Sequence, residues 1–208
     1  GWRDLAAYAG PSWLVGAPWA HMPWSPDPHV ATDAHLAFFD EHVARREPRR
    51  PMARVRSLAV GASQWSCAET WPTVEPVRFG FASGGRAATR FGDGVLVHGT
   101  GYGPPSITVH QPMVPVPSAG SAYDATVGEV GRADQRAVQD RTDVLCYTSE
   151  PLDAGTELFG VARVRIDVRS AAPTNDACIT LCHVEPDGAV WNLAFGACRG
   201  PGHLTFDL

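Results

Sequence analysis

A chain of 208 residues with 44% hydrophobic and 19% charged residues has the composition of a folded globular protein, which excludes the disordered and fibrous classes. The net charge is −5 and every basic side chain is an arginine, dispersed along the sequence, so we expect neither a nucleic-acid nor an anionic-membrane partner. This length suits one good-sized core or two small ones, and we interpret the chain as about one and a half domains.

The first predicted elements are a buried strand and a helix. The apolar run Ser12–Gly16 leads into the loop Ala17–His21, as a strand does when it ends in a loop. The helix would be capped by Thr32 or Asp33 and would end near Arg46. Its apolar face, formed by side chains at i, i+3 and i+7, consists of Leu36, Phe39 and Val43. Strand, loop and helix in this order predict an α/β layer.

The pattern changes after the charged linker Arg45–Pro51, where short apolar segments alternate with Gly, Pro and Asp clusters. Residues Ala162–Val168 alternate apolar and charged side chains, which predicts a half-buried antiparallel strand. Asp187 and Gly188 predict a hairpin with a type I′ turn. Many short strands of this kind favour a jelly-roll β-sandwich. The predicted strands are Val55–Val60, Val77–Phe81, Gly94–His98, Ser106–Gln111, Asp143–Thr148, Gly160–Arg169, Cys178–Glu185 and Val190–Ala194.

Several phrases, taken together and in this order, resemble the family of cocaine esterase and the X-Pro dipeptidyl peptidases. They are Leu14–His21, Phe38–His42, Val60–Trp65 with Trp71-Pro72, Asp134–Arg136, Asp143–Leu152, and Val184–Gly188 with Asn192-Leu193. The resemblance covers nearly the whole chain. It implies a remnant of the C-terminal part of an α/β-hydrolase domain in residues 1–50, followed in residues 51–208 by an all-β jelly-roll sandwich of the galactose-binding-domain-like type. We expect this sandwich to be incomplete at its C-terminus and the chain to be part of a longer protein.

The family's catalytic triad is Ser, Asp and His, which α/β-hydrolases carry in that chain order. The resemblance places the catalytic His at His21, as the base that takes the proton from the serine hydroxyl. Gly1-Trp2-Arg3-Asp4 resembles a family phrase that makes Asp4 the carboxylate orienting His21, although the family usually has a helix between the two. Gly-x-Ser-x-Gly occurs nowhere in this sequence, so the nucleophile is not in this segment.

Four further residues are predicted to contact substrate. Trp24 follows the predicted catalytic His21 and is suited to line an acyl pocket. By order in the family, the segment from Ser118 to Arg132 faces the active site, and its Tyr123, Val127 and Val130 are the predicted contacts; a plain solvent-exposed loop is the alternative. Sugar stacking and packing are the two interpretations of Trp13, Trp19, Trp24, Trp65 and Trp71, and packing is favoured for Trp65 and Trp71.

No metal or organic cofactor is predicted. The other histidines lack the spacing of a metal site, and Cys178 with Cys182-His183 is better explained by packing along a strand. Five cysteines are too few for a disulfide scaffold, and their odd number leaves a free thiol, which favours a reducing compartment and a cytoplasmic location. No run approaches about 18 apolar residues, so no membrane partner is expected.

The sequence therefore predicts a serine hydrolase that cleaves esters or amides, of the esterase, acylase or dipeptidyl-peptidase type, although this segment alone would be inactive. Its partner would be a small-molecule ester or amide or a short peptide, and a homo-oligomer is a further option. The alternative is a non-catalytic β-sandwich that serves as a binding or scaffold module. A metal-dependent hydrolase is the third reading, which the scattered histidines disfavour.

Overall fold

The structure, a computed structural model, describes residues 12–19, 29–120, 131–153 and 155–208. In these ranges the chain is mostly β, with its strands in small open sheets of two or three, and no helix there is long and apolar enough to cross a membrane. The chain divides into two compact units, Gly1–Thr73 and Val74–Leu208. This division lies later than the domain junction expected near residue 50, and the junction itself stays a prediction.

The first unit contains a parallel pair of strands joined by a helix. The strand β1 (Leu14–Gly16) pairs in parallel with β2 (Val55–Ser57), and the helix α1 (His29–His42) lies between them in sequence. Parallel neighbours need such a crossover connection. The strand β3 (Ser66–Ala68) then adds to β2 in antiparallel fashion. The expected strand and helix are present. The helix begins at His29, so Thr32 and Asp33 lie within it and do not cap it, and it ends at His42 rather than near Arg46. The strand β2, predicted as part of the sandwich, pairs with β1 instead.

The helix α1 buries a different face from the one expected. Leu36, Phe39 and Val43 are 57%, 54% and 67% exposed, so the prediction of the buried face was wrong. The buried residues are Val30, Ala37 and Asp40. Asp40 tolerates burial because the guanidinium of Arg46 donates two hydrogen bonds to its Oδ1, at 2.9 and 2.5 Å. The spacing of apolar residues located the helix but did not identify its buried face, which includes the small side chain of Ala37.

The second unit begins with a three-stranded sheet. The strand β4 (Phe79–Ala82) pairs antiparallel with β5 (Val95–His98), which pairs in parallel with the short β6 (Thr148–Ser149). The short helix α2 (Arg136–Gln139) precedes β6. Residues Ser106–Gln111, predicted as a strand, are not one, and the side chains of Ile107 and Val109 are 80% and 68% exposed. Prolines crowd this part of the sequence, and proline cannot donate to a strand ladder.

The remaining strands of the second unit form two antiparallel ribbons. One joins β7 (Arg163–Asp167) to β10 (His203–Asp207), and the other joins β8 (Asn175–Val184) to β9 (Val190–Gly200). Their inner faces pack together, since a Cβ added at Gly196 would lie 3.6 Å from Phe206 Cδ1 and one at Gly200 would lie 3.1 Å from Leu204 Cδ2. Phe206 and Leu204 are 3% and 1% exposed, so the core of this unit includes the contact between the ribbons.

The alternation predicted for Ala162–Val168 is confirmed in β7. Charged side chains on its outer face pair across to β10: Arg163 donates to Asp207 at 2.7 Å, and the Nδ1 of His203 lies 2.6 Å from the Oδ1 of Asp167. The side chains between them are less exposed. Period-two alternation therefore identified both the strand and its buried face.

The predicted hairpin between β8 and β9 is present, but the prediction of a type I′ turn was wrong. A type I′ turn needs positive φ at both central residues, and of Asp187 and Gly188 only Gly188 has it, at 83°. The N–H of Gly188 donates to Glu185 O, so the turn is built over Pro186 and Asp187. Pro186 fixes φ near −65°, which suits a type I turn followed by a left-handed glycine.

Candidate functional site

All six predicted site residues lie outside the described residues. Asp4, His21 and Trp24 precede α1, and Tyr123, Val127 and Val130 fall within 121–130. The structure does describe the residues that flank two of these stretches. Residues 12–19 lead up to His21, and Gly120 and Gly131 stand on either side of 121–130.

The stretch that leads to His21 is held by aromatic contacts. It follows the carboxyl end of β1, where the N–H of Trp19 donates to Ala17 O at 2.7 Å. The ring of Trp19 packs edge-on against Trp65 with centroids 6.2 Å apart, and the guanidinium of Arg56 lies 5.0 Å from the Trp65 ring. The indole N–H of Trp19 is buried and has no hydrogen-bond partner among the described residues. These contacts fix the backbone two residues before His21.

Three tryptophans of the first unit pack against other rings. Trp13 packs edge-on against Phe38 of α1, with centroids 5.5 Å apart, and also lies against His42. Trp19 and Trp65 pack on each other. Each of these three rings contacts another ring of the protein, which favours packing over sugar stacking for these tryptophans.

In the second unit, Asn192 of β9 bonds to both ends of the stretch 121–130. Its Nδ2 donates to Gly120 O at 3.2 Å and to Gly131 O at 3.1 Å, while its Oδ1 accepts the N–H of Ala133 at 2.7 Å. Both donors and the acceptor of the amide are thus in use. We call Asn192, with the backbone groups that it binds, the loop clamp.

Gln135 extends the loop clamp from the other side. It is 4% exposed, and its Nε2 donates to Ala119 O and to Ala133 O, each at 3.1 Å. Its own N–H donates to Val190 O of β9 at 2.7 Å. A buried amide without partners would be costly, so these bonds specify where residues 119 and 133 lie.

Gly120 can occupy its place only as glycine. Its φ is +77°, and an added Cβ would lie 2.5 Å from Gly131 O and 2.8 Å from the amide atoms of Asn192. The backbones at 120 and 131 are therefore close together, with no room for a side chain between them. Gly120 and Gly131, which flank residues 121–130 in sequence, therefore lie side by side.

Charged residues surround the loop clamp. The guanidinium of Arg132 lies 4.6 Å from the Trp191 ring centroid and donates to Glu185 Oε1 at 2.7 Å. Asp134 accepts hydrogen bonds from the N–H and the Nε of Arg136, at 3.0 and 2.7 Å. The side-chain bond from Arg136 is the main cause that holds the pKa of Asp134 below its usual value. Asp134 is therefore a carboxylate at neutral pH.

Two of the sequence phrases that resemble the family contain residues of the loop clamp or of its extension by Gln135. Gln135 belongs to the phrase Asp134–Arg136, and Asn192 opens the phrase Asn192-Leu193. The phrases contributed to the resemblance, but their structural role was missed, because Asn192 and its partner Gly120 lie 72 residues apart. The available signal was an amide side chain within an apolar strand, which needs partners when it is buried.

A second polar network closes another loop of this unit. The hydroxyl of Ser83 and the N–H of Arg86 donate to Asp93 Oδ1 at 2.5 and 3.1 Å, and the N–H of Gly84 donates to its Oδ2. The bond from Ser83 is the main cause that lowers the pKa of Asp93. Because backbone N–H groups of the same loop donate hydrogen bonds to both of its oxygens, the Asp93 carboxylate stabilises this turn.

Five cysteines lie within the described residues, and all are free thiols. Burial, reinforced by the nearby charge of Asp140, raises the pKa of Cys146 to about 11. Burial likewise raises the pKa of Cys182 to about 11. Gln139 contacts both sulfurs, through its carbonyl and its side-chain amide. Across the described ranges, no three His, Cys, Asp or Glu side chains come together as a metal site would require.

Comparison with known proteins identifies relatives of the chain. A family model described as "X-Pro dipeptidyl-peptidase C-terminal non-catalytic domain" matches residues 48–203. The chain is also 34% identical over 173 residues to cocaine esterase from Rhodococcus sp. (strain MB1 Bresler). That alignment covers 81% of this chain and 30% of the relative, so the chain spans under a third of the relative's length.

Proposed function

This chain belongs to the cocaine esterase and X-Pro dipeptidyl-peptidase family, as its C-terminal part, and we propose on that premise that the protein is a serine hydrolase of ester or amide bonds. The relative with 34% identity is an esterase by name. The nucleophilic serine lies outside this segment, so the segment alone would be inactive. The substrate would be a small ester or amide or a short peptide.

One observation carries the proposal. β1 and β2 are parallel strands with α1 as their crossover, and His21 follows the carboxyl end of β1. In open α/β sheets, ligands bind at the carboxyl ends of parallel strands. A histidine just beyond such an end is where an α/β-hydrolase carries its base. The anchoring of Trp19 by Trp65 supports the same reading, because a catalytic base has to be held in place.

In the proposed mechanism His21 takes the proton of the serine hydroxyl as the serine attacks the substrate carbonyl. The imidazole then delivers this proton to the leaving group, and an acyl-enzyme remains until water hydrolyses it. Asp4 would hold the imidazole in the tautomer that leaves its other nitrogen free to accept. Trp24, Tyr123, Val127 and Val130 would contact the substrate.

We also propose the finer fold assignment. The end of an α/β-hydrolase domain would come first, in residues 1–50 together with the strand β2 that pairs with β1, and a jelly-roll sandwich would follow as far as residue 208. The packing of Leu204 and Phe206 of one ribbon against glycines of the other supports a sandwich. The pairing of β2 with β1 favours a hydrolase part that extends past residue 50.

The second candidate function is a non-catalytic β-sandwich that binds or scaffolds. It is favoured by the description of the matching family model, which names a non-catalytic domain. The two proposals are compatible within one longer protein, since a hydrolase can carry such a domain. They differ in whether the protein as a whole turns over esters.

The test is the pH dependence of ester hydrolysis by the full-length protein. We expect kcat/KM for para-nitrophenyl acetate to rise with pH through about 6 to 7, as a histidine base loses its proton. Activity should persist after treatment with a metal chelator. A protein that cleaves neither this ester nor an X-Pro dipeptide para-nitroanilide would leave the binding module as the function, and a chelator-sensitive activity would point to a metal-dependent hydrolase.

A further inference from the structure

A segment of the second unit, residues 107–116, exposes its apolar side chains to solvent. It forms neither a helix nor a strand, and every one of its residues is exposed. The side chain of Met113 is 91% exposed. The other large apolar side chains of the segment are exposed as well, namely those of Ile107, Val109, Val114 and Val116. We call residues 107–116 the apolar strap.

Polar contacts fix the apolar strap to the second unit near both of its ends. Just before the strap, the hydroxyl of Tyr147 donates to Ser106 Oγ at 3.1 Å. Near its other end, the guanidinium of Arg141 donates to Val114 O at 2.7 Å. Two further bonds from this guanidinium to Asp143, at 2.8 and 2.7 Å, hold it in place. Polar groups therefore anchor the strap while its apolar side chains stay exposed, the reverse of the usual arrangement in a solvent-exposed segment.

The apolar strap also lies in an uncharged part of the sequence. Residues 94–123 contain no Asp, Glu, Lys or Arg. Surfaces that stay in contact with water normally carry charged side chains of both signs. An exposed apolar patch on the order of a few hundred Å² usually marks an interaction site. An uncharged apolar surface fits an apolar partner, because a charge buried against it would have no counter-charge.

We propose that the apolar strap docks against the part of the full-length protein that precedes this segment. The alignment with cocaine esterase covers 81% of this chain and 30% of the relative, so most of the relative's length lies outside it. An occupant within the same chain is favoured, because covalent linkage gives it a high effective concentration at the strap. The inference rests on the proposed function only for the existence of a hydrolase part before this segment.

The test follows the oxidation of Met113 by hydrogen peroxide in the full-length protein. Docking covers the thioether, so we expect Met113 to be oxidised at least about tenfold more slowly in the native protein than in the same protein unfolded in urea. Peptide mass spectrometry over a time course measures both rates. Size-exclusion chromatography with light scattering should show that the native monomer is protected.

Each other outcome overturns the inference. Equal oxidation rates in native and unfolded protein would show that the apolar strap is uncovered or that its partner is a separate molecule. Protection that is present in a dimer and lost on dilution to the monomer would assign the strap to a second copy of the chain. Loss of esterase activity does not enter this measurement, so failure of the proposed function is distinguishable from failure of the docking.

A substitution tests the same contact through thermal stability. Val109→Asp should lower the Tm of the full-length protein by about 3 °C or more, because docking would bury the new carboxylate. The matched control is Leu158→Asp, at a 62% exposed position of the second unit that is also outside helices and strands. The control should change Tm by about 1 °C or less. Equal changes of Tm in the two variants would contradict docking at the apolar strap.

Discussion

The thiols of this protein differ in their environments, and this difference predicts their reactivity. The pKa values of Cys146 and Cys182 are raised to about 11 by burial, so their thiolate fraction at neutral pH is very small. Cys67 and Cys178 are exposed. We predict that iodoacetamide alkylates Cys67 and Cys178 at least about tenfold faster than the buried pair. Peptide mass spectrometry over a time course measures the alkylation rate of each cysteine. Equal rates at all four sites would contradict the burial of Cys146 and Cys182.

At the same scale, paired carboxylates predict how stability depends on pH. The side chain of Asp143 is 7% exposed and accepts two bonds from the Arg141 guanidinium, at 2.8 and 2.7 Å. These bonds hold the pKa of Asp143 below its usual value. A lowered pKa in the folded state means that the contribution to stability is present above the unfolded-state pKa and is lost as pH falls through the folded-state value.

The free energy of unfolding should therefore fall as the pH drops below about 4. Asp143→Asn should lower stability at neutral pH and make the acid dependence shallower, because the variant has no carboxylate to protonate at this position. Urea denaturation at a series of pH values measures both effects. Asp153→Asn, at an exposed position, is the control and should leave the curve unchanged. If the free energy of unfolding of Asp143→Asn fell as steeply with decreasing pH as that of the wild type, the Asp143–Arg141 pair would not be the source of the acid dependence.

At the scale of elements, the two ribbons of the second unit predict a contrast between two phenylalanines. Phe206 of β10 is 3% exposed against Gly196, whereas Phe195 of β9 is 62% exposed on the outer face. Phe206→Ala should lower the free energy of unfolding by about 3 to 5 kcal/mol, since it removes a buried ring and leaves a cavity. Phe195→Ala should change it by about 0.5 kcal/mol or less. Similar losses at both sites, measured by urea denaturation, would refute the packing of the ribbons.

Local patterns predicted some elements better than others. Alternation identified β7 and its buried face, because successive side chains of a strand point to opposite faces, so every second residue of a half-buried strand is apolar. The helix α1 was found from apolar spacing, but the wrong face was assigned, because Ala37 packs against its neighbours while Leu36 and Phe39 stay exposed. The segment Ser106–Gln111 has strand-like residues but no strand, since pairing partners are not encoded locally.

At the scale of the whole molecule, family membership was readable from the sequence and is confirmed by the comparisons. Each sequence phrase that resembles the family is short and unspecific by itself. Their common order along the chain is what identified the family. The loop clamp could not be read in the same way, because Asn192 and Gly120 meet only in the folded chain. Catalytic residues such as His21 were predicted by resemblance and stay predictions.

The most direct test of the hydrolase proposal is labelling of the full-length protein by a fluorophosphonate. We predict that one serine is labelled in the wild type and in the His35→Ala control, a change at an exposed position of α1. In His21→Ala the labelling should be slower by about 10³-fold or more, because the serine loses its base. A folded wild-type protein that is not labelled, or a His21→Ala variant labelled at the wild-type rate, would contradict the assignment of His21 as the catalytic base.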